Sequence, residues 1–193
     1  MPALLDIFMP IFSVGIGYGV SNQLDTSNVE VQVPAIEAFG QGYVPLPLEN
    51  FFLRPTIRFG YEKPDRKDDS QSLAIKESSL KSLLELGIVH DGLLVPAISM
   101  QAGMIKRILT LQTAAPIAPA GGGSLTRNEY LWSFGLTLGL GLPVLNGRII
   151  LEPYYRFVRI EKDLRQTSQM GVELSVAVPF EPMSNPDDKM LRN

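Results

Sequence analysis

Large apolar side chains alternate with small or polar ones, at a period of two, through eight stretches of this chain. The last stretch is the cleanest: from Ser168 to Phe180, Met170, Val172, Leu174, Val176, Val178 and Phe180 alternate with Gln169, Gly171, Glu173, Ser175, Ala177 and Pro179. Successive side chains of a strand point to opposite faces, so this segment predicts a strand with one wholly apolar face. Alternation of this kind suits a soluble core as well as lipid, and the other strands have to decide between them.

Seven more strands follow from the same pattern. The first covers Ile11 to Ser21, with Val14, Ile16, Tyr18 and Val20 against Gly15, Gly17 and Gly19. The second opens at Val29 and runs toward Val44; its phase blurs at Pro34, where a bulge is expected because proline lacks the N–H that a central ladder uses. The third sets Phe51, Leu53, Ile57, Phe59 and Tyr61 against Arg54, Thr56, Arg58, Gly60 and Glu62. The fourth changes phase between Leu73, Ile75 and the run Leu80, Leu84, Leu86, Ile88, which predicts either a bulge over 77–79 or a helix capped by Ser78, the bulged strand being preferred. The fifth begins at Leu94, the sixth spans Tyr130 to Leu142, and the seventh carries Ile149, Leu151, Tyr155 and Phe157 against Glu152, Tyr154 and Arg156. Asn146-Gly147 between the last two predicts a type I′ hairpin turn.

Volume then assigns the two faces. One holds Gly, Ser, Ala and Thr with isolated charges; the other is Leu, Val, Ile, Phe, Met and Tyr in nearly every strand. Eight strands enclose a lumen just wide enough for side chains, so the bulky rows cannot all point inward. Turned out into water, they would far exceed the few hundred Å² of apolar patch that a soluble monomer shows. Facing lipid they are stable, and closure leaves no backbone edge unpaired. The fold class expected is therefore all-β, an eight-stranded antiparallel up-and-down transmembrane β-barrel over residues 11–180, with a lead-in at 1–10 and a tail at 181–193. The connections at 22–28, 63–70, 113–128 and 161–167 are longer than those at 45–50, 90–92 and 146–147. In outer-membrane barrels the long loops lie outside, so both termini are expected in the periplasm. Tyr18, Tyr61, Tyr130, Trp132, Tyr155 and Phe157 would form an outer aromatic girdle, and Tyr43, Phe51 and Phe180 an inner one.

Composition adds little against this and some support. The net charge of -3 gives no reason to expect nucleic acid, and the absence of cysteine excludes disulfides and thiolate metal sites. No run of about 18 apolar residues occurs, which excludes an ordinary membrane-spanning helix but not a barrel. Residues 1–10 lack a basic stretch and do not read as a secretory signal.

By strand number, alternation and loop asymmetry from Ile11 to Phe180, the chain resembles the small eight-stranded bacterial outer-membrane barrels, the class of the OmpA transmembrane domain, OmpX and Ail. Outer-membrane lipid and lipopolysaccharide are then its surroundings. The resemblance also implies that Val172, Leu174, Val176, Val178 and Phe180 form the C-terminal signal read by the barrel-assembly machinery. That signal normally ends the chain; here residues 181–193 follow it, so either the strand is read internally or the tail is an added segment or one that meets a periplasmic or envelope partner.

Candidate chemistry is thin. His90, the one histidine, sits beside Asp91 in a short turn with no Gly-x-Ser-x-Gly near it, so no catalytic residue is expected. Asp65, Asp68 and Asp69 are interleaved with Lys63, Arg66 and Lys67 and lack the Gly and Glu of an EF-hand loop, so no metal or other cofactor is expected. The residues singled out are Arg54, Arg58, Glu62, Glu152, Arg156 and Glu173, read as a charge network in the lumen that plugs it, or alternatively lines a narrow pore. The function expected is a non-enzymatic scaffold acting through its outer loops or its tail. A lipid-modifying enzyme and a soluble ligand-binding barrel are the further alternatives.

Overall fold

The computed structural model describes residues 12–24, 30–63, 73–113, 124–145, 147–160 and 166–178. Their strands are β1 (Phe12–Leu24), β2 (Glu30–Gly42), β3 (Val44–Pro45), β4 (Phe51–Glu62), β5 (Leu73–His90), β6 (Val95–Thr113), β7 (Ser124–Val144), β8 (Ile149–Ile160) and β9 (Gln166–Ala177). Each pairs antiparallel with its chain neighbour, β9 returns to β1, and β2 pairs with β4 past the short β3. The result is a closed eight-stranded barrel, with β3 continuing the β2 register on β4 from Gln41↔Thr56 to Val44↔Leu53.

The alternation dictates the faces. In β8 every second residue from Ile150 to Ile160 is buried and the residues between them are exposed. Phe59 is 59 % exposed, Leu138 49 % and Val176 44 %, whereas Arg58 is 1 % exposed and Glu173 3 %. The bulky hydrocarbon is outside and the charge inside, an arrangement that only a lipid environment stabilises. The barrel is thus a transmembrane one. Leu138→Arg should accordingly lower stability by about 2–4 kcal/mol, the value for a cation on a lipid-facing wall near mid-bilayer; urea titration of the folded protein in vesicles measures it, and a loss near zero would put Leu138 outside the hydrocarbon.

Inside, the barrel is layered. At the end with the short turns, Tyr43, Val89, Val95, Ala97 and Ile150 form a buried apolar cluster, with Phe52 against it. Toward the opposite end lies a second cluster of Ile105, Leu131, Val158 and Ile160. Most of the buried charged side chains occupy the middle, and the Lys81–Glu62 pair lies level with the second apolar cluster.

Four expectations need correction. β2 has no bulge at Pro34: Pro34 pairs with Val20 in an unbroken ladder, and pairing of β2 with β4 starts only at Ala35↔Glu62, so the missing N–H falls at the end of that ladder. β5 is neither bulged over 77–79 nor helical, because its register with β6 runs unbroken from Leu73↔Thr113 to Val89↔Ala97. Tyr43 belongs to no lipid girdle; it is buried in the lumen, where Gln41 Nε2 donates to its hydroxyl at 2.7 Å. The loop expected over 113–128 is shorter, since Ser124 to Asn128 are already strand. Asn146 lies outside the described residues, as do Phe180 and the tail; in the turn beside Asn146, Leu145 and Gly147 have φ of 51° and 76°.

Strand length is uneven. β5, β6 and β7 have 18, 19 and 21 residues, against 12 or 13 for the other barrel strands. Among the described residues, the β4–β5 ladder ends at Glu62↔Ser79 and the β7–β8 ladder at Ser133↔Ile160, while β5–β6 and β6–β7 continue to Leu73↔Thr113 and Gln112↔Ser124. A three-stranded sheet therefore projects from the long-loop end. One face of it is tied by Arg107 Nε to Glu77 Oε1 at 3.0 Å and by Arg127 to Glu129 at 3.0 Å.

Candidate functional site

The middle layer of the lumen is one connected ion cluster. Arg58, from β4, reaches carboxylates on three other strands: its Nη1 donates to Glu173 Oε1 at 2.7 Å and to Glu37 Oε2 at 3.1 Å, and its Nη2 to Glu85 Oε2 at 2.9 Å. Arg156, from β8, donates through Nη1 to both oxygens of Glu37 at 2.8 and 2.9 Å, and through Nη2 to Glu173 Oε1 at 3.1 Å. Arg54 forms a two-pronged pair with Glu152 at 2.6 and 3.1 Å, and its Nη2 lies 4.0 Å from Glu85 Oε1. Forked donors facing carboxylates fix geometry as well as charge.

Neutral groups complete the cluster. Gln169 accepts from Arg156 at 3.1 Å and donates to Glu37 at 3.3 Å and to the Tyr154 hydroxyl at 2.9 Å. The Arg58 guanidinium stands 4.8 Å from the centre of the Phe39 ring, and that of Arg156 4.6 Å from the Tyr154 ring. Glycines make the room: Gly17 lies between Glu37 and Glu173 in the ladder, and Gly139 lies directly beside the Glu152 side chain.

Of the six residues singled out in the sequence, Arg54, Arg58, Glu152, Arg156 and Glu173 meet in this cluster. Glu62 does not; it pairs with Lys81 and accepts from Ser79 at 3.4 Å, nearer the projecting sheet. Two members were not singled out, Glu37 and Glu85. Glu37 was hidden by the blurred phase of strand two, although Ile36 and Ala38 on either side both point outward. Glu85 lies between the outward Leu84 and Leu86, and follows once β5 is read as unbroken. Val172, Leu174, Val176 and Val178 of the C-terminal strand all face outward.

His90 is in the turn at the opposite end from the projecting sheet. Its ring meets Phe51 edge-on at 4.9 Å, and the next residue ties the turn down, with Asp91 N–H donating to the Asn50 carbonyl at 2.7 Å. Burial holds the Asp91 carboxyl above its ordinary range, against the opposing pull of His90. Among the described residues no group of three or more His, Cys, Asp and Glu is placed to hold a metal ion.

No family model matches the chain, and no curated protein resembles it in sequence. Solved structures do resemble it. Ail, the attachment invasion locus protein of Yersinia pestis, superposes with a TM-score of 0.56 over 86 % of this chain and 96 % of its own, at 10 % identity. The same protein in complex with the heparin analogue sucrose octasulfate gives 0.53 at 10 % identity over the same shares. A major outer membrane protein of Thermus thermophilus gives 0.52 over 86 % of this chain and 98 % of its own, at 8 % identity. The fold is that of the small outer-membrane β-barrels. At these identities the likeness concerns architecture alone.

Proposed function

We propose that this chain is a non-enzymatic integral protein of a bacterial outer membrane, with both termini periplasmic, whose barrel is a plugged scaffold and whose outer end makes specific contacts. The observation that carries this reading is the sheet of β5, β6 and β7 projecting from the long-loop end. Among the described residues, the β5 edge over 73–78 and the β7 edge over 124–132 have no neighbouring strand. Exposed strand edges invite pairing with another chain, and a partner protein is the recognised outcome. The long loops are placed outside by analogy with outer-membrane barrels generally. Lipopolysaccharide surrounds the wall at that end. The barrel-assembly machinery reads the outward Val172, Leu174, Val176 and Val178, together with Phe180, and residues 181–193 are left for a periplasmic or envelope partner.

The plug follows from the layering. An ion cluster tied by its own forks, with an apolar cluster toward the short turns and a second apolar cluster beside the paired Lys81 and Glu62 toward the other end, supports a lumen filled by side chains. In planar bilayers the protein should therefore show no steady conductance, and Glu152→Ala should lower stability without opening a channel; a stable unitary current altered by that change would replace the plug with a pore. The contact role is tested by capture from intact cells and envelopes with the full chain and with variants in which Thr126 and Asn128 are changed to proline. Loss of the captured partner in those variants supports the sheet edge as the contact; undiminished capture moves it elsewhere.

A further inference from the structure

We propose that the outer wall at the long-loop end binds one molecule of a glycolipid carrying two phosphates and several acyl chains, its phosphates on Lys106 and Arg159 and its chains in two furrows beside Trp132. The proposal rests on the outer-membrane placement given above. The first argument is charge. Among the described residues, the carboxylates at this end lie on the inward side of the wall and are paired: Glu62 with Lys81, Glu77 with Arg107 and Glu129 with Arg127. Lys106 and Arg159 are on the outward side, and neither has a carboxylate partner among the described residues. Lys106 Nζ instead stands 5.9 Å from the centre of the exposed Tyr130 ring, and Arg159 is exposed at the end of β8. Lys106 is opposite Tyr130 and Arg159 opposite Phe134, with Trp132 midway between those two partners. Strand and residue spacings put the two Cα atoms roughly 17 Å apart, so each cation meets its own anion.

The second argument is the shape of the wall beneath these cations. Outward side chains stand in rows along the ladders, and small residues in a row leave a furrow. One furrow, of about 1100 Å³, starts at Phe12 and Gly40, passes Met100 and Ala102 and ends at Phe157 and Arg159. A second, of about 420 Å³, lies alongside it, with Ser82, Ala102 and Gly103 at its floor and Phe59, Met104 and Trp132 around it. Lys106 is the next outward residue of β6 beyond Met104, so each furrow has a cation at its upper end. The furrows are apolar and face hydrocarbon, which suits acyl chains, and an exposed indole marks the boundary with water. A guanidinium or ammonium at that boundary recognises phosphate. Beyond Lys106 the same face continues with Thr110, Thr126 and Asn128, whose hydroxyl and amide groups hydrogen-bond sugar. Chains, then phosphates, then sugar hydroxyls is the order of groups in a phosphorylated glycolipid.

Trp132 is the chain's one tryptophan and reports on the site directly. The full chain is folded into phosphatidylcholine vesicles doped, at equal charge, with bisphosphorylated lipid A, monophosphoryl lipid A or phosphatidylglycerol. Trp132 emission should change saturably with bisphosphorylated lipid A, and half-saturation should need at least about tenfold more of either other lipid. Lys106→Ala and Arg159→Ala should each weaken the lipid A response by a similar factor. Ala102→Phe, which keeps every charge and fills both furrows, should do the same. Lys63→Ala, which removes an exposed cation from the same end of β4, should change nothing. Electrophoresis without heating confirms that each variant is folded before it is titrated. Emission indifferent to lipid A overturns the proposal, as does a response that survives both cation variants. An equal response to phosphatidylglycerol also overturns it, reducing the two cations to a general attraction for anionic surfaces. Fractionation of expressing cells tests the placement separately: a barrel in the outer membrane that ignores lipid A overturns this proposal alone, and one absent from that fraction overturns the placement and the proposal together.

Discussion

Arg58→Ala is expected to lower the unfolding free energy by about 3–5 kcal/mol, the range for removing one partner from a buried ion pair. The guanidinium serves carboxylates on β2, β5 and β9 at once, so its loss is not confined to one contact. Glu37 and Glu173 would keep Arg156, but Glu85 would keep only Arg54 at 4.0 Å and the Ser99 hydroxyl. Arg58→Lys should recover part of the loss, because a single ammonium returns the charge without the fork that spans three acceptors. Arg54→Ala makes the comparison, since its close partner is Glu152 alone and the number of stranded carboxylates is smaller. Urea midpoints in lipid vesicles order the three variants; a cost for Arg58→Ala below about 1 kcal/mol would mean that water, not Arg58, solvates these carboxylates.

The inside and outside of the barrel were legible in the sequence because the strand period is two and lipid tolerates almost no polar residue on its side. Leu136, Leu138, Leu140 and Leu142 leave no freedom in phase, and all four are exposed. The lumen has no such uniform rule. Val33, Phe39, Tyr43, Val89, Val95 and Leu131 are large and apolar, yet they point inward to fill the two ends and the wall around the ions. Bulk therefore assigns a face reliably only where neighbouring residues in the same strand agree with it, and in β2 they do not. The phase change at Leu73 and Ile75 misled for a related reason. Among the described residues these lie in the part of β5 beyond its ladder with β4, and the register with β6 runs through them unbroken, so the change of pattern there is no change of register. Pro34 announced a missing donor but not on which side of the strand the donor would have pointed. The members of the ion cluster could be named singly, whereas their pairing depends on which side chains meet across the lumen, a distance that a strand pattern does not contain.

Gly171→Val should prevent the barrel from closing. Gly171 faces Gly19 across the β1–β9 ladder, the seam where the last strand returns to the first. A Cβ at Gly171 would meet the Tyr18 carbonyl oxygen, the Gly19 Cα at 2.6 Å and the Tyr154 hydroxyl at 2.8 Å. Two of these are backbone atoms of the partner strand, which can retreat only by parting a ladder that runs from Ser13↔Ala177 to Asn22↔Ser168. Overpacking of this kind costs about 3 kcal/mol before any ladder bonds are lost. An open seam adds two unpaired edges within hydrocarbon, which a membrane protein cannot sustain. Gly17→Ala is the control on the facing strand of the same seam: its added carbon would first meet the Glu173 Cγ at 3.2 Å, a side-chain atom that need give only a few tenths of an ångström, with no backbone atom in the way, and the barrel should still form. Electrophoresis without heating separates the compact folded barrel from the open chain. The expected result is a folded band for the wild type and Gly17→Ala and none for Gly171→Val; a normal folded band for Gly171→Val would mean that the β1–β9 seam is held further apart than this register and approach require.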